Sequence, residues 1–157
     1  MKAEPAQRLD PRAKTLWRIT GTLGALPLLV VGASVSWSLL RVVPLLLGVL
    51  PLLAALALFV VLAGVVPDLR WRRWRYEIRD EEVDLQRGIV WVSRTLVPLA
   101  RIQHVDTQSG PLQRRFGLAT VVFYTAAGAN QIPELSAPVA AEVRDRIADL
   151  TREQDEL

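Results

Sequence analysis

The sequence predicts an α+β membrane protein: an N-terminal two-helix transmembrane hairpin, then a small antiparallel β-sandwich or partly open barrel capped by a C-terminal α-helix. Three observations predict it. Ile19 to Val66 is a run of 48 residues whose single charge is Arg41. From Trp74 onward apolar and polar residues alternate with the period of strands. Near the C-terminus Val139, Val143, Ile147 and Leu150 fall on one face of a helix.

Residues 1–18 are a basic segment with five Lys/Arg against two acids. The apolar run that follows would extend about 72 Å as one helix, at roughly 1.5 Å per residue. A bilayer core is only about 30 Å thick, so two spans fit, at 19–39 and 43–66. A tight turn is expected around Ser36–Arg41, with Trp37 and Arg41 at the interface. A buried hairpin in a soluble core does not fit, because the rest of the chain is too short to cover that much apolar surface. The run also exceeds the roughly 7–15 apolar residues of a cleaved signal peptide. Pro27 falls in the first span and Pro44 and Pro51 in the second. Each removes a backbone donor, and a bend is expected at Pro51. No ionisable residue lies mid-span, which argues against a pump or transporter built from this chain alone.

The basic residues set the orientation. Lys2, Arg8, Arg12, Lys14 and Arg18 precede the first span, Arg70, Arg72, Arg73 and Arg75 follow the second, and Arg41 alone lies between. The expectation is a multi-pass protein of the bacterial inner membrane with both termini cytoplasmic. Residues 67–75, "PDLRWRRWR", read as an interfacial linker. The expected membrane anchors are Trp17, Arg18, Trp37, Arg41, Arg70, Trp71, Arg72, Arg73, Trp74 and Arg75.

Residues 76–151 form the expected globular domain, with 152–157 a frayed tail. Trp74, Tyr76 and Ile78 share one strand face. "DEE" makes a turn, and "VDLQRG" is a second strand broken by Gly88. "IVWVSRTLVPL" is a third, in which Pro98 ends the strand or marks an edge. "RIQHVDTQ" is a fourth; its apolar Ile102 and Val105 are three apart, so either a bulge lies between them or the spacing carries no pattern. "SGPLQRRFG" reads as one helical turn. Pro111 opens it, Leu112 and Phe116 share a face, Gln113, Arg114 and Arg115 point outward, and Gly117 ends it. "LATVVFYTA" is a strand, 128–130 a Gly/Asn turn, and "QIPEL" a short strand. Ser136 is the expected N-cap of the closing helix.

The stretch Leu96 to Gly128, "LVPLARIQHVDTQSGPLQRRFGLATVVFYTAAG", together with the upstream spans and "SAPVAAEVRDRI", resembles the bacterial PH-like membrane-flanked domain family, in its YdbS-like branch. The resemblance covers most of the chain. It implies a PH-like fold of two antiparallel sheets closed by a C-terminal helix. It also implies a membrane protein often accompanied by a larger one carrying further copies of the domain. PH domains that bind phosphoinositides carry basic residues in the loop joining their first two strands. Here that loop is "RDEEVD", Arg79 to Asp84, and acidic, so phosphoinositide binding is not carried over.

Composition narrows the chemistry. There is no cysteine and one histidine, His104. Disulfides and thiolate metal sites are excluded. No nucleotide-binding glycine loop or hydrolase motif occurs. His104 and Asp106 share a strand face without a nearby nucleophile. The net charge of +3 is concentrated at the junctions; from Tyr76 onward nine arginines face thirteen acids, near −4. A nucleic-acid module needs a basic groove instead. The candidate interaction surface is Arg94, Arg101, Gln103, His104, Gln113, Arg114 and Arg115, expected to converge around the turn after the fourth strand. No enzyme activity, cofactor or metal is expected.

The expected function is a non-catalytic, membrane-anchored interaction or scaffold module. Its partners are the lipid bilayer and a homo- or hetero-oligomer with other PH-like membrane proteins. The alternatives are an anionic-lipid or small-anion sensor, or an accessory subunit of a transport or envelope-stress system.

Overall fold

The structure, a computed structural model, describes residues 4–155. Lys2 and residues 156–157 lie outside the described residues. The chain forms two compact units. One is Trp17–Leu69; the other joins the described residues up to Leu16 with those from Arg70.

The first unit is helical. Helix α1 is Arg12–Leu39. The second apolar helix, Leu45–Arg73, is assembled from α2 (Leu45–Gly48), α3 (Leu50–Val60), a π turn (Val61–Val65) and α4 (Val66–Arg73). Both helices are long and apolar enough to cross a membrane. The interruption at Val49 falls between Pro51 and Leu47, the carbonyl that Pro51 cannot serve. The π turn comes just ahead of Pro67, whose missing N–H deprives the Ala63 carbonyl of its usual donor. The turn between the helices occupies 40–44, later than expected, because Ser36 stays helical and buried. Its hydroxyl accepts the Leu52 N–H at 3.0 Å, near the start of α3, where helical donors lack partners.

Glycines bring the two helices close. A Cβ on Gly32 would collide with Ala55 Cβ, and one on Gly21 would stand 3.0 Å from the Leu62 carbonyl oxygen. Arg18 Nη2 donates to both carboxylate oxygens of Asp68 at 2.9 Å. Leu23, Val30, Leu46, Leu53 and Leu56 are exposed, as apolar residues facing lipid would be.

The second unit contains two antiparallel sheets. The four-stranded sheet has the order β1 (Gln7–Arg8), β2 (Arg75–Ile78), β3 (Glu82–Arg87), β4 (Ser93–Pro98). A 3₁₀ turn, Leu99–Arg101, leads to the three-stranded sheet β5 (Ile102–Gln108), β6 (Leu118–Thr125), β7 (Gly128–Ser136). Helix α5 (Pro111–Arg115) interrupts β5 and β6, and α6 (Ala137–Asp155) closes the unit.

The sheets share a core of Val83, Leu85, Val97, Leu118, Val121, Phe123, Ile132 and Leu135, sealed by Ala140, Val143 and Ile147 of α6. Each of the Val, Leu, Ile and Phe side chains contributes roughly 1.5–3 kcal/mol by leaving water. The alternation of Trp74, Tyr76 and Ile78 is buried as expected. The register slip between Ile102 and His104 decides for the bulge between the two readings of that spacing.

Several boundaries differ from expectation. The segment 1–18 is not merely a basic leader: Gln7–Arg8 pairs with Arg75–Tyr76, and Leu9 is buried. Residues 67–75 are helical through Arg73 rather than a linker. The third predicted strand begins only at Ser93, leaving 88–92 as a loop. Ala126–Ala127 turn the β6–β7 hairpin, so β7 starts at Gly128. On α6 the buried stripe starts at Ala140, with Val139 outside it, and the helix continues past residue 151 to Asp155.

Candidate interaction surface

Strand β5 lies at one edge of its sheet, and only Ile102 in it is buried. His104, Asp106 and Gln108 alternate onto one face. His104 is the register partner of Tyr124 and stacks on it, with ring centroids 4.3 Å apart and planes 18° from parallel. His104 Nε2 stands 3.7 Å from Asp106 Oδ2, an ion pair only when the imidazole is protonated. Gln108 Nε2 approaches the Tyr124 hydroxyl at 3.4 Å. The result is an exposed, polar face on an edge strand, with Ala148, Thr151 and Arg152 of α6 bordering a hollow at its Ile102–Val105 end. It offers hydrogen bonds and an aromatic platform, and no enclosed cavity for a substrate.

The other expected members do not join it. Arg101 precedes β5, and Arg114 and Arg115 lie beyond its far end on α5. At about 3.3 Å per residue, a seven-residue strand holds them roughly 20 Å apart or more. Gln103 is exposed at the Arg101 end. Gln113 turns inward: its Oε1 accepts the Gly110 N–H at 2.9 Å, and its Nε2 donates to Thr120 Oγ1 at 2.9 Å. It closes the start of α5 and anchors it to β6.

Arg94 is held in the other sheet by Asp84, which is fully buried. Arg94 Nε donates to Oδ1 at 2.9 Å and Nη2 to Oδ2 at 2.5 Å. Arg79 Nη2 reaches the same carboxylate at 3.4 Å and Glu77 at 2.7 Å. The hydrogen bond to Asp84 raises the Arg94 guanidinium pKa above its ordinary value. Asp84 is thus a buried, paired residue of β3 and adds nothing to the outward acidity of the β2–β3 turn.

The expected anchors divide in the same way. Trp74 is 4% exposed and has little surface left for lipid. Trp71 Nε1 donates to the Leu9 and Asp10 carbonyls at 3.1 Å, while Lys14 Nζ lies 4.4 Å from its ring centroid. Both tryptophans thus hold the globular unit together. Trp17 is buried, and Arg18 is paired with Asp68. Arg75 is half-buried in β2, with Glu4 4.0 Å away. Arg70, Arg72 and Arg73 are exposed on α4. Trp37 is exposed, with Arg41 stacked 5.5 Å above its ring.

Sequence reading missed the clasp at Asp10–Arg12. Asp10 accepts the Arg12 N–H at 2.9 Å, with Pro11 between them, which is a helix-start arrangement. "DPR" was the available signal. The Asp10 carboxylate also holds the Arg12 guanidinium at 3.0 Å, and Arg12 Nη1 donates to the Phe116 carbonyl at 2.8 Å. This bond joins residues 104 apart in sequence.

The Arg12 hydrogen bond lowers the Asp10 pKa below the ordinary carboxylate value. An unfolded aspartate titrates near about 3.9, so the clasp's contribution is complete above that pH and is lost as pH falls through the folded value. In detergent, the parent protein should lose stability more steeply than Asp10→Asn below about pH 4, and parallel slopes would refute it.

Comparison with known proteins agrees with this architecture. Residues 22–151 match the family model described as Bacterial PH domain. The chain is 36% identical over 161 residues to the UPF0699 transmembrane protein YdbS of Bacillus subtilis (strain 168), with 99% of each covered. It is 27% identical over 97 residues to the UPF0699 transmembrane protein YdbT of the same organism, covering 62% of this chain and 19% of that protein. No solved structure matches the chain significantly.

Proposed function

Since the chain belongs to the bacterial PH domain family, we propose that it is a non-catalytic, membrane-anchored docking module that pairs with another PH-like domain. The observation that carries this reading is the open edge of β5. An edge strand with free backbone donors and acceptors adds a further strand readily, and side chains beside it select the partner. The His104–Tyr124 stack, flanked by Asp106 and Gln108, supplies such a selecting surface. Anchoring raises the effective concentration of the module at the membrane, so a weak strand contact suffices.

The partner is a second copy of this chain or a larger membrane protein with similar domains. The likeness to YdbT, of which this chain covers only 19%, favours the larger protein. In this reading the hairpin lies in the bacterial inner membrane with both termini on the cytoplasmic side. The arginines proposed for anion sensing do not support a rival, because Arg101 is separated from Arg114 and Arg115 by the length of β5.

Mild-detergent purification of the tagged protein from its native membranes, with mass spectrometry, tests the proposal. The expected result is a stoichiometric PH-like partner or a second copy, released by Gln103→Lys with Thr107→Lys. Lysines on a strand edge oppose pairing. A monomer without such a partner, or a complex indifferent to both lysines, would overturn it.

A further inference from the structure

The loop between β3 and β4, Gly88–Val92, reads "GIVWV". Its sequence has strand character, yet the structure leaves it as a projecting loop. Trp91 is 88% exposed and Val90 79%, the most exposed large apolar side chains of the globular unit. Loops facing water are ordinarily polar. An apolar tip of this kind marks a contact.

The surroundings indicate which contact. A shallow hollow beside the tip is lined by Val90 and Trp91 together with Arg70, Trp74 and Arg87. Arg70, which lines this hollow, is the residue that follows Leu69, where the apolar helical unit ends. Arg72, Arg73 and Arg87 are also exposed. Tryptophan beside arginine is the composition of a membrane–water interface: the indole suits the headgroup boundary, and the guanidinium groups attract anionic phosphates. The loop is also rigidly shaped. Gly88 has φ +123°, and its backbone passes so close to the Trp91 carbonyl that no side chain fits between them.

We infer that Gly88–Val92 is a membrane-seating loop: Val90 and Trp91 enter the headgroup–acyl boundary of an anionic bilayer, with Arg72, Arg73 and Arg87 on its phosphates. A seated loop would add a second point of attachment to the membrane besides the hairpin. The inference rests on the hairpin spanning the bilayer and is independent of the β5 docking edge.

The chain has no cysteine, so single-cysteine probes are direct. Val90→Cys, Glu142→Cys and Leu56→Cys are made in the full-length chain, labelled with an environment-sensitive dye and reconstituted in phosphatidylglycerol vesicles; Glu142 is exposed on α6 and lies outside the β5 edge. Spin-labelled acyl chains quench from the lipid side and iodide from water. The label at 90 should be quenched by the acyl spin label at least about threefold more than that at 142, and less by iodide. Replacing phosphatidylglycerol with phosphatidylcholine should weaken lipid quenching at 90 and leave 56 unchanged. Trp91→Ser should weaken quenching at 90 as well.

Equal quenching at 90 and 142 would overturn the inference. So would shielding of 90 from both quenchers, which would mark a protein contact instead. Indifference to the lipid swap would overturn the role of the arginines. Leu56 reports the anchor separately, so an uninserted hairpin is distinguished from an unseated loop.

Discussion

Replacing Asp84 with alanine should destabilise the globular unit by about 3 kcal/mol, the low end of what breaking a buried ion pair costs. Asp84 is fully buried on β3, with Val83 and Leu85 on the opposite face already committed to the core. Its carboxylate is held by Arg94 through Nε and Nη2 and approached by Arg79. Deleting it leaves two guanidinium groups crowded over an apolar sheet. Their side chains are 30% and 27% exposed, so both can turn partly to water, and Arg79 keeps Glu77. That escape sets the estimate at the low end. Arg94 lies diagonally across the β3–β4 ladder, since Asp84 pairs with Leu96 and Gln86 with Arg94. Thermal or denaturant unfolding in detergent, followed by aromatic fluorescence, measures the loss. A double-mutant cycle with Arg94→Met should give a coupling of about 2 kcal/mol, and a coupling near zero would refute the assignment.

Gly88→Ala should be nearly as damaging. An added Cβ would overlap the Trp91 carbonyl oxygen, and the φ of +123° is one that L residues avoid. Backbone cannot yield as a flexible side chain does. The expected loss is about 3 kcal/mol, from overpacking and dihedral strain together. Gly128 provides the control: its φ is +131°, but nothing lies within 4 Å of the place a methyl group would take. Gly128→Ala should therefore show strain alone, about 1–2 kcal/mol. Equal effects at the two positions would mean that the contact with Trp91 is unimportant.

Much of the fold was legible because it is written in local periods. The charge-poor run from Ile19 to Val66 is twice too long for one span, and two helices resulted. Trp74, Tyr76 and Ile78 alternate, and the alternation is buried. Val143 and Ile147 lie on the buried stripe of α6. Even the three-residue spacing of Ile102 and Val105 carried its bulge into the structure. Strand β1 was not legible, because two residues hold no period; Gln7 and Arg8 become a strand only through Arg75 and Tyr76.

The interaction surface was legible only in part. His104 keeps the exposed strand position that the pattern assigned it, but its platform, Tyr124, is twenty residues away and was not singled out. Arg94, Gln113 and Trp74 carry functional-looking side chains and are occupied by Asp84, by Gly110 with Thr120, and by the core. The apolar "GIVWV" read as a strand, since composition does not state whether a neighbouring strand will be there to pair with it.

The sequence by itself determined the two long apolar helices, the two-sheet domain with its closing helix, and the family. Tertiary structure alone decided which arginines are neutralised, which tryptophans are enclosed, and which strand edge and loop remain open. The physical reason is one of range. Burial periodicity repeats every two to four residues and survives in any short window, whereas an ion pair such as Asp84–Arg94, or a bond such as Arg12 to Phe116, exists only once distant segments have been packed together.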